Sequence, residues 1–475
     1  AASFFVIVPA AAQQQAPQLP EGDGKALVQG TCTACHEINQ ITRSSGYTRE
    51  GWRELIGTMM NLSGTPAGET ITKYLAAHFP PTDQLKPKLV RGETSITMRE
   101  WTVPTLGQRA RDPVQAPDGS IWWAGMWANL IGRIDPATGE VTEYTLPPNA
   151  KPHTVTPDPQ GNIWYTGNSN ATIGKLDPRT GMITEYKMPD PNARDPHTAI
   201  FDKKGNLWFT LQVSNMVGRL VPSTGEIKLV TMPTQNSRPY GIVIGPDGSP
   251  WICCNGSNCL VKADPETVAL REYKLPDPKT TVRRLDFAPD GMIWYVNSSL
   301  GRLGRSDPKT GQTKEWPSPS GPKSYPYAIA VVDGIVIGPD GSPWICCNGS
   351  NCLVKADLET MALREYKLPD PKTTVRRLDF GSDGMIWYVN SSLGRLGRFD
   401  PKTGQTKEWP SPSGPKSYPY AIAVVDGVVW YNESAQRPDM LVRFDPATEK
   451  FQSWPIPSGG VYAGIVRHMR PTREG

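Results

Sequence analysis

Residues 117–147 read PDGSIWWAGMWANLIGRIDPATGEVTEYTLP. An Asp-Gly turn is followed two residues later by Trp122 and a short strand. A Gly132-Arg133-Ile134 strand then runs into the turn Asp135-Pro136-Ala137-Thr138-Gly139, and Glu143-Tyr144 leads to a Leu-Pro exit. The same grammar returns at Trp164, Trp208, Trp251 and Trp294, each 42 to 44 residues after the last. Short strands punctuated by Asp-Gly and Thr-Gly turns at a period near 40 point to propeller blades of four antiparallel strands. The density of Gly and Pro excludes helical repeats of similar length. A blade buries its faces only against its neighbours, so the Trp is expected between blades.

Residues 241–333 recur as 334–426 with five changes: Pro265/Leu358, Val268/Met361, Ala288/Gly381, Pro289/Ser382 and Ser306/Phe399. Other blades share only the skeleton. The copy is displaced by 93 residues, more than two blades of the local period occupy. It reads as a recent tandem duplication or an assembly error, and the second agrees with ends that look clipped. The blade of Trp430 is complete through Trp454, while another starts at Val466-Arg467-His468 and stops at Gly475. As written, the chain encodes eight Trp blades and two partial ends. Glu100-Trp101-Thr102-Val103-Pro104 is expected to be an outer strand that completes the last blade, a device that removes exposed sheet edges.

A different chemistry precedes the repeats. Cys32-Thr33-Ala34-Cys35-His36 is a C-x-x-C-H run, the pattern in which two thiols attach covalently to haem and the adjacent imidazole meets the iron. Apolar residues recur at three and four spacing around Lys25–Val28, in Glu50–Ile56 and in Thr70–Phe79, which predicts helices. The arrangement resembles a small class I cytochrome c, with C-x-x-C-H on the first helix and ITKYLAAHF as the closing one. The resemblance implies haem c bound through Cys32 and Cys35, with His36 as one iron ligand and Met59 or Met60 as the other; His78 competes with them. Residues 1–14, with their apolar AASFFVIVPAAA run, read as the remnant of a secretory leader. The expected organisation is therefore a leader remnant (1–14), an all-α cytochrome c domain (15–80), a Pro- and Lys-rich linker (81–98) and an all-β propeller (99–475).

Formal net charge is +4 over 475 residues with the charges dispersed, giving no basic stripe for nucleic acid and no polybasic tail for a membrane surface. No later segment is long and apolar enough to span a bilayer as a helix. The expected setting is periplasmic or secreted, as a monomer with a redox partner protein, of which a periplasmic dehydrogenase is one kind.

The blade elements Pro152-His153-Thr154-Val155, Pro196-His197-Thr198-Ala199, Gly245-Pro246-Asp247-Gly248, Trp208-Phe209-Thr210 and Ile131-Gly132-Arg133-Ile134 resemble those of the streptogramin B lyase (virginiamycin B lyase) family. These are seven-bladed propellers that open a cyclic depsipeptide at its ester by elimination. The resemblance implies a His acting on protons and carboxylates holding Mg2+. His153 and His197 fit two His positions, and Asp195 fits an acid two before the second His, a magnesium ligand. The final Glu of the family's Trp-Phe-Thr-Glu element is replaced by Leu211, and fourteen after His153 by Gly167. Glu433 alone keeps that acid, in a blade whose His position is Tyr420; in that frame His468 is the alternative catalytic His and Glu433 the alternative magnesium ligand. Two functions follow: a mono-haem electron-transfer protein whose propeller binds a partner or ligand, and a magnesium-dependent lyase.

Cys254 and Cys259 flank a four-residue hairpin turn, so their side chains can meet and oxidise in an exported protein. Free-thiol and zinc readings stay open beside it.

Overall fold

A computed structural model describes residues 18–33, 38–57, 59–105, 107–288, 290–297, 299–317, 335–337, 342–346, 351–357, 363–457 and 469. The leader remnant, Cys35, His36, the duplication seam and His468 lie outside the described residues. No helix among them is long and apolar enough to cross a membrane.

Each repeat pairs its strands in sequence order as an antiparallel four-stranded sheet. Eight such blades are described, at 110–145, 152–187, 196–231, 239–274, 282–317, 335–367, 375–410 and 419–455. The inner strands of blades one to five lie side by side in order, as do those of blades six to eight. The seven-bladed pattern is thus exceeded, because the duplicate forms whole blades six and seven. Hairpin-connected strands find their partners within one repeat, so a copy in frame folds as blades wherever it is inserted.

The motif explains itself in this register. Trp208 is fully buried among Ile242, Ile252 and Val261 of the following blade, and its indole Nε1 donates to Asp202 Oδ2 at 2.9 Å. Trp164 repeats this with Asp158 at 2.9 Å. In every blade but the third, whose outer strand has no aromatic, the Trp stacks on the aromatic of the outer strand, as Trp164 does on Tyr186 with centroids 5.6 Å apart, which accounts for the Glu-Tyr and Glu-Trp ends. The cation of Gly-Arg stands opposite the Trp in the ladder: Trp208 pairs with Arg219, whose guanidinium lies 6.0 Å from the indole. The Gly before it faces the next aromatic. A Cβ on Gly218 would sit 2.2 Å from Phe209, and one on Gly174 1.9 Å from Tyr165, so only Gly lets those rings lie flat across the strand.

The expected staple between Cys254 and Cys259 is formed. The copies differ at one packing position: Ser306 is buried and accepts from Thr313, whereas Phe399 packs edge-on against Tyr366 and 5.6 Å from Trp344.

Ahead of the blades stand four helices, α1 (Lys25–Cys32), α2 (Ile38–Arg43), α3 (Arg49–Gly57) and α4 (Pro66–His78). Thr65 caps α4 by accepting from the Gly68 amide at 3.0 Å, with Pro66 opening the first turn. Val28, Trp52, Leu55, Ile56, Ile71, Tyr74 and Leu75 form their common core.

Glu100–Pro104 carries no strand, contrary to expectation. Blade eight draws all four strands from 419–455, leaving only its outer edge to cover. Residues 88–94 cover it: Ser453 donates its amide to the Val90 carbonyl at 2.9 Å, and Thr94 and Gln452 exchange bonds at 3.2 and 2.6 Å. Trp101 instead lies against Gly139, where a Cβ would approach its Nε1 to 2.0 Å.

Candidate functional site

Among the described residues, every inner strand but that of blade six begins with one or two residues bulged out of the ladder. The register jumps between Pro152 and Val155, between Pro196 and Ala199, and between Pro239 and Ile242. Such bulges re-aim side chains, and here they bring His153, His197 and Tyr240 of three successive blades against one another. The backbone enters through the left-handed region at Arg109, Lys151, Asp195, Arg238 and Tyr418, with φ of 50, 45, 51, 51 and 51°. Five non-Gly residues in that region at one repeat position mark a built corner.

The Thr of the Trp-x-Thr element locks the bulge. Thr166 Oγ1 accepts from the Thr154 amide at 3.1 Å and donates to the His197 carbonyl at 3.0 Å. Thr210 does the same for Thr198 and the Tyr240 carbonyl. One hydroxyl therefore holds its own blade and the next in register.

The structure brings His153 and His197 together. Both are buried, and their rings stack with centroids 3.7 Å apart; His197 continues onto Tyr240 at 4.6 Å. Burial lowers the His153 imidazole to about 2, with further lowering by His197, Arg111, Arg284 and Arg109. Burial and the charges of Arg111 and Arg284 lower His197 to about 4. Both rings are neutral at pH 7, and the same burial makes them weak proton acceptors.

These shifts have a stability consequence. Between about pH 6.5 and the folded-state values, the unfolded chain binds protons that the folded chain refuses. Their contribution is complete above pH 6.5 and is lost as pH falls toward 4 and below. His153→Phe is expected to flatten this acid limb of the thermal melting curve, and an unchanged acid limb would contradict the burial argument.

The expected magnesium ligands are not arranged for a cation. Asp195 carries both oxygens against the Val213 amide at 3.0 Å and also accepts from the amides of Ser214 and Gln212, while burial raises its carboxyl to about 6. Glu433 lies five blades further along, fully buried. It accepts from Ser411 Oγ at 2.6 Å, from the Ser413 amide at 2.9 Å and from Ser413 Oγ, and burial raises it too. It pairs in register with Pro419. The neighbouring Tyr420 lies 5.6 Å from the Arg376 guanidinium. Among the described residues no cluster of three or more His, Cys, Asp or Glu could hold a metal. The residues present do not fit a magnesium centre.

Sequence reading missed Arg111, Tyr240 and Arg284. For Arg111 and Tyr240 the signal was available, since they stand 42 residues before His153 and 43 after His197 at the same inner-strand position; the next such position is Arg283, so the repeat does not point to Arg284.

In the helical unit, Cys32 is half-buried at the end of α1, and burial raises its thiol. Met59 and Met60 pack on the same core. Trp52 Nε1 is buried there with no hydrogen-bond partner. His78 rests on Tyr74, centroids 4.4 Å apart.

Fold and tunnel thus define a β-propeller of the streptogramin lyase type. The virginiamycin B lyase family model matches residues 66–262 and 266–461, and the chain belongs to that family. Among solved structures it is similar to a streptogramin B lyase (27% identity over 60% of this chain and 91% of that one, TM-score 0.44). It is also similar to a virginiamycin B lyase from Staphylococcus aureus (25%, 60% and 92%, TM-score 0.38). A third is the dihydro-heme d1 dehydrogenase NirN (13%, 93% and 99%, TM-score 0.48). No curated protein matches.

Proposed function

We propose that this protein is an exported mono-haem c-type cytochrome whose lyase-family propeller binds a redox partner or ligand. The observation that carries the reading is the C-x-x-C-H run, leaving α1 beside an apolar core that holds Met59, Met60 and an unpartnered indole N–H. An orphaned buried donor is costly unless a polar atom meets it, and the polar edge of a bound haem would do so. Cys32 and Cys35 would hold the haem covalently, with His36 and Met59 or Met60 as axial ligands; bound there, the group supplies one-electron transfer. The helical core excludes water from it. The Cys254–Cys259 disulfide agrees with an oxidising, periplasmic or extracellular setting.

Expressed in a host that matures c-type cytochromes, the full chain is expected to keep a haem stain through a denaturing gel and to lose it in Cys32→Ala/Cys35→Ala. An unstained wild-type band refutes the reading. Comparing oxidised spectra of Met59→Ala and Met60→Ala then identifies the thioether ligand.

The stacked, neutral His153–His197 pair supports a second reading, proton abstraction in a lyase. Because Asp195 and Glu433 are engaged elsewhere, no metal-assisted step is derived. Incubation with a streptogramin B and magnesium, followed by mass spectrometry, tests it; an unopened ring disposes of it.

A further inference from the structure

The inner strands of blades one to five carry Arg111, His153, His197, Tyr240 and Arg284 at or beside their bulges. The three rings run in a row, tilted by 35 and 47° to one another with centroids 3.7 and 4.6 Å apart. Arg284 closes one end, with its guanidinium 5.7 Å from the Tyr240 centroid. Arg111 lies on the inner strand beside that of His153 and donates to the Met126 sulfur at 3.5 Å. Both arginines are half-buried, and both act on both imidazoles. Neither has a carboxylate partner among the described residues. Asp195, two residues before His197, is turned away onto the amides of the neighbouring hairpin.

Two guanidinium groups acting on the same pair of imidazoles, neither ion-paired among the described residues, concentrate positive charge in a poorly solvated place. We propose that this arc is a binding site for a small oxyanion, a carboxylate or a phosphate ester, gripped by Arg111 and Arg284 across the His153–His197–Tyr240 stack. Arg presents a planar fork of donors that matches either group. The flat ring faces between the two forks suit a planar carboxylate, and the imidazole nitrogens add donors or acceptors according to the ligand. The site needs neither haem nor magnesium.

The test uses the full-length protein, titrated separately with citrate and with inorganic phosphate at constant ionic strength to remove simple screening. Calorimetry is expected to show saturable binding of at least one probe, weakened about tenfold or more by Arg111→Gln and by Arg284→Gln, with Arg111→Lys in between. Which probe binds distinguishes the carboxylate from the phosphate. Should a Gln variant fail to fold, the ring 1H–15N resonances of His153 and His197 in the wild type, assigned with His153→Asn, are expected to move with the bound probe. Absence of saturable binding and of ring shifts with both probes overturns the proposal, as does undiminished binding by folded Arg→Gln variants.

Discussion

Trp208→Ala is expected to destabilise the propeller by about 3–5 kcal/mol. The indole is wholly buried and fills the space between its own blade and Ile242, Ile252 and Val261 of the next. Removing it leaves a cavity that two rigid sheets cannot collapse into, and cores are packed too tightly to heal it otherwise. The loss is compounded at Asp202, whose Oδ2 accepts the indole N–H. Arg219 also loses the ring it lies over. Because blades are stabilised by their neighbours, the effect is expected to appear as a drop in the main thermal transition. A shift no larger than that of an exposed control such as Met182→Ala would contradict this packing account.

The second large effect is a stabilisation. Asp439 is fully buried on the hairpin of blade eight; among the described residues neither oxygen has a hydrogen-bond partner, and its counter-charge is Arg437 at 3.6 Å. Burial raises its carboxyl to about 8, against a smaller lowering by Arg437. Between about pH 4 and 8 the folded chain keeps a proton that the unfolded chain has shed. Stability from this site is therefore full at acid pH, falls as pH rises through that window and is lost above 8. Asp439→Asn removes the dependence and is expected to be more stable than the wild type by about 2 kcal/mol or more at pH 9, with little difference at pH 4. Urea melts at the two pH values measure it, and equal differences at both would refute the assignment.

That hairpin also holds the helical unit. The Arg437 amide donates to the Leu85 carbonyl at 2.8 Å, and its guanidinium lies 4.5 Å from the Tyr47 ring.

The blade grammar was legible because each element has a local reason. Trp164 and Trp208 need a neighbour to cover them, Gly174 and Gly218 need to clear an aromatic, and the Thr-Gly turns need a left-handed corner. The helices were legible for the same reason, since apolar spacing, Thr65 and Pro66 act within a few residues. Cys254 and Cys259 were within reach because a short hairpin brings its ends together. His153 and His197 could be picked out, but not that their rings stack. The two acids misled: Asp195 and Glu433 stand where a metal ligand would, and only their hydrogen bonds show them committed to backbone amides and serines.

Blade period, strand order within each blade, the haem-type motif and the disulfide were determined by the sequence itself, because each depends on neighbours within one repeat or one helix. Only the tertiary structure decided that the duplicate forms two whole blades, that residues 88–94 cover the edge of blade eight, and that Arg111 and Arg284, over 170 residues apart, face one stack of rings. The physical reason is that bulges aim side chains into a tunnel shared by distant blades. Charges that look dispersed along the chain converge there, at a distance no local pattern encodes.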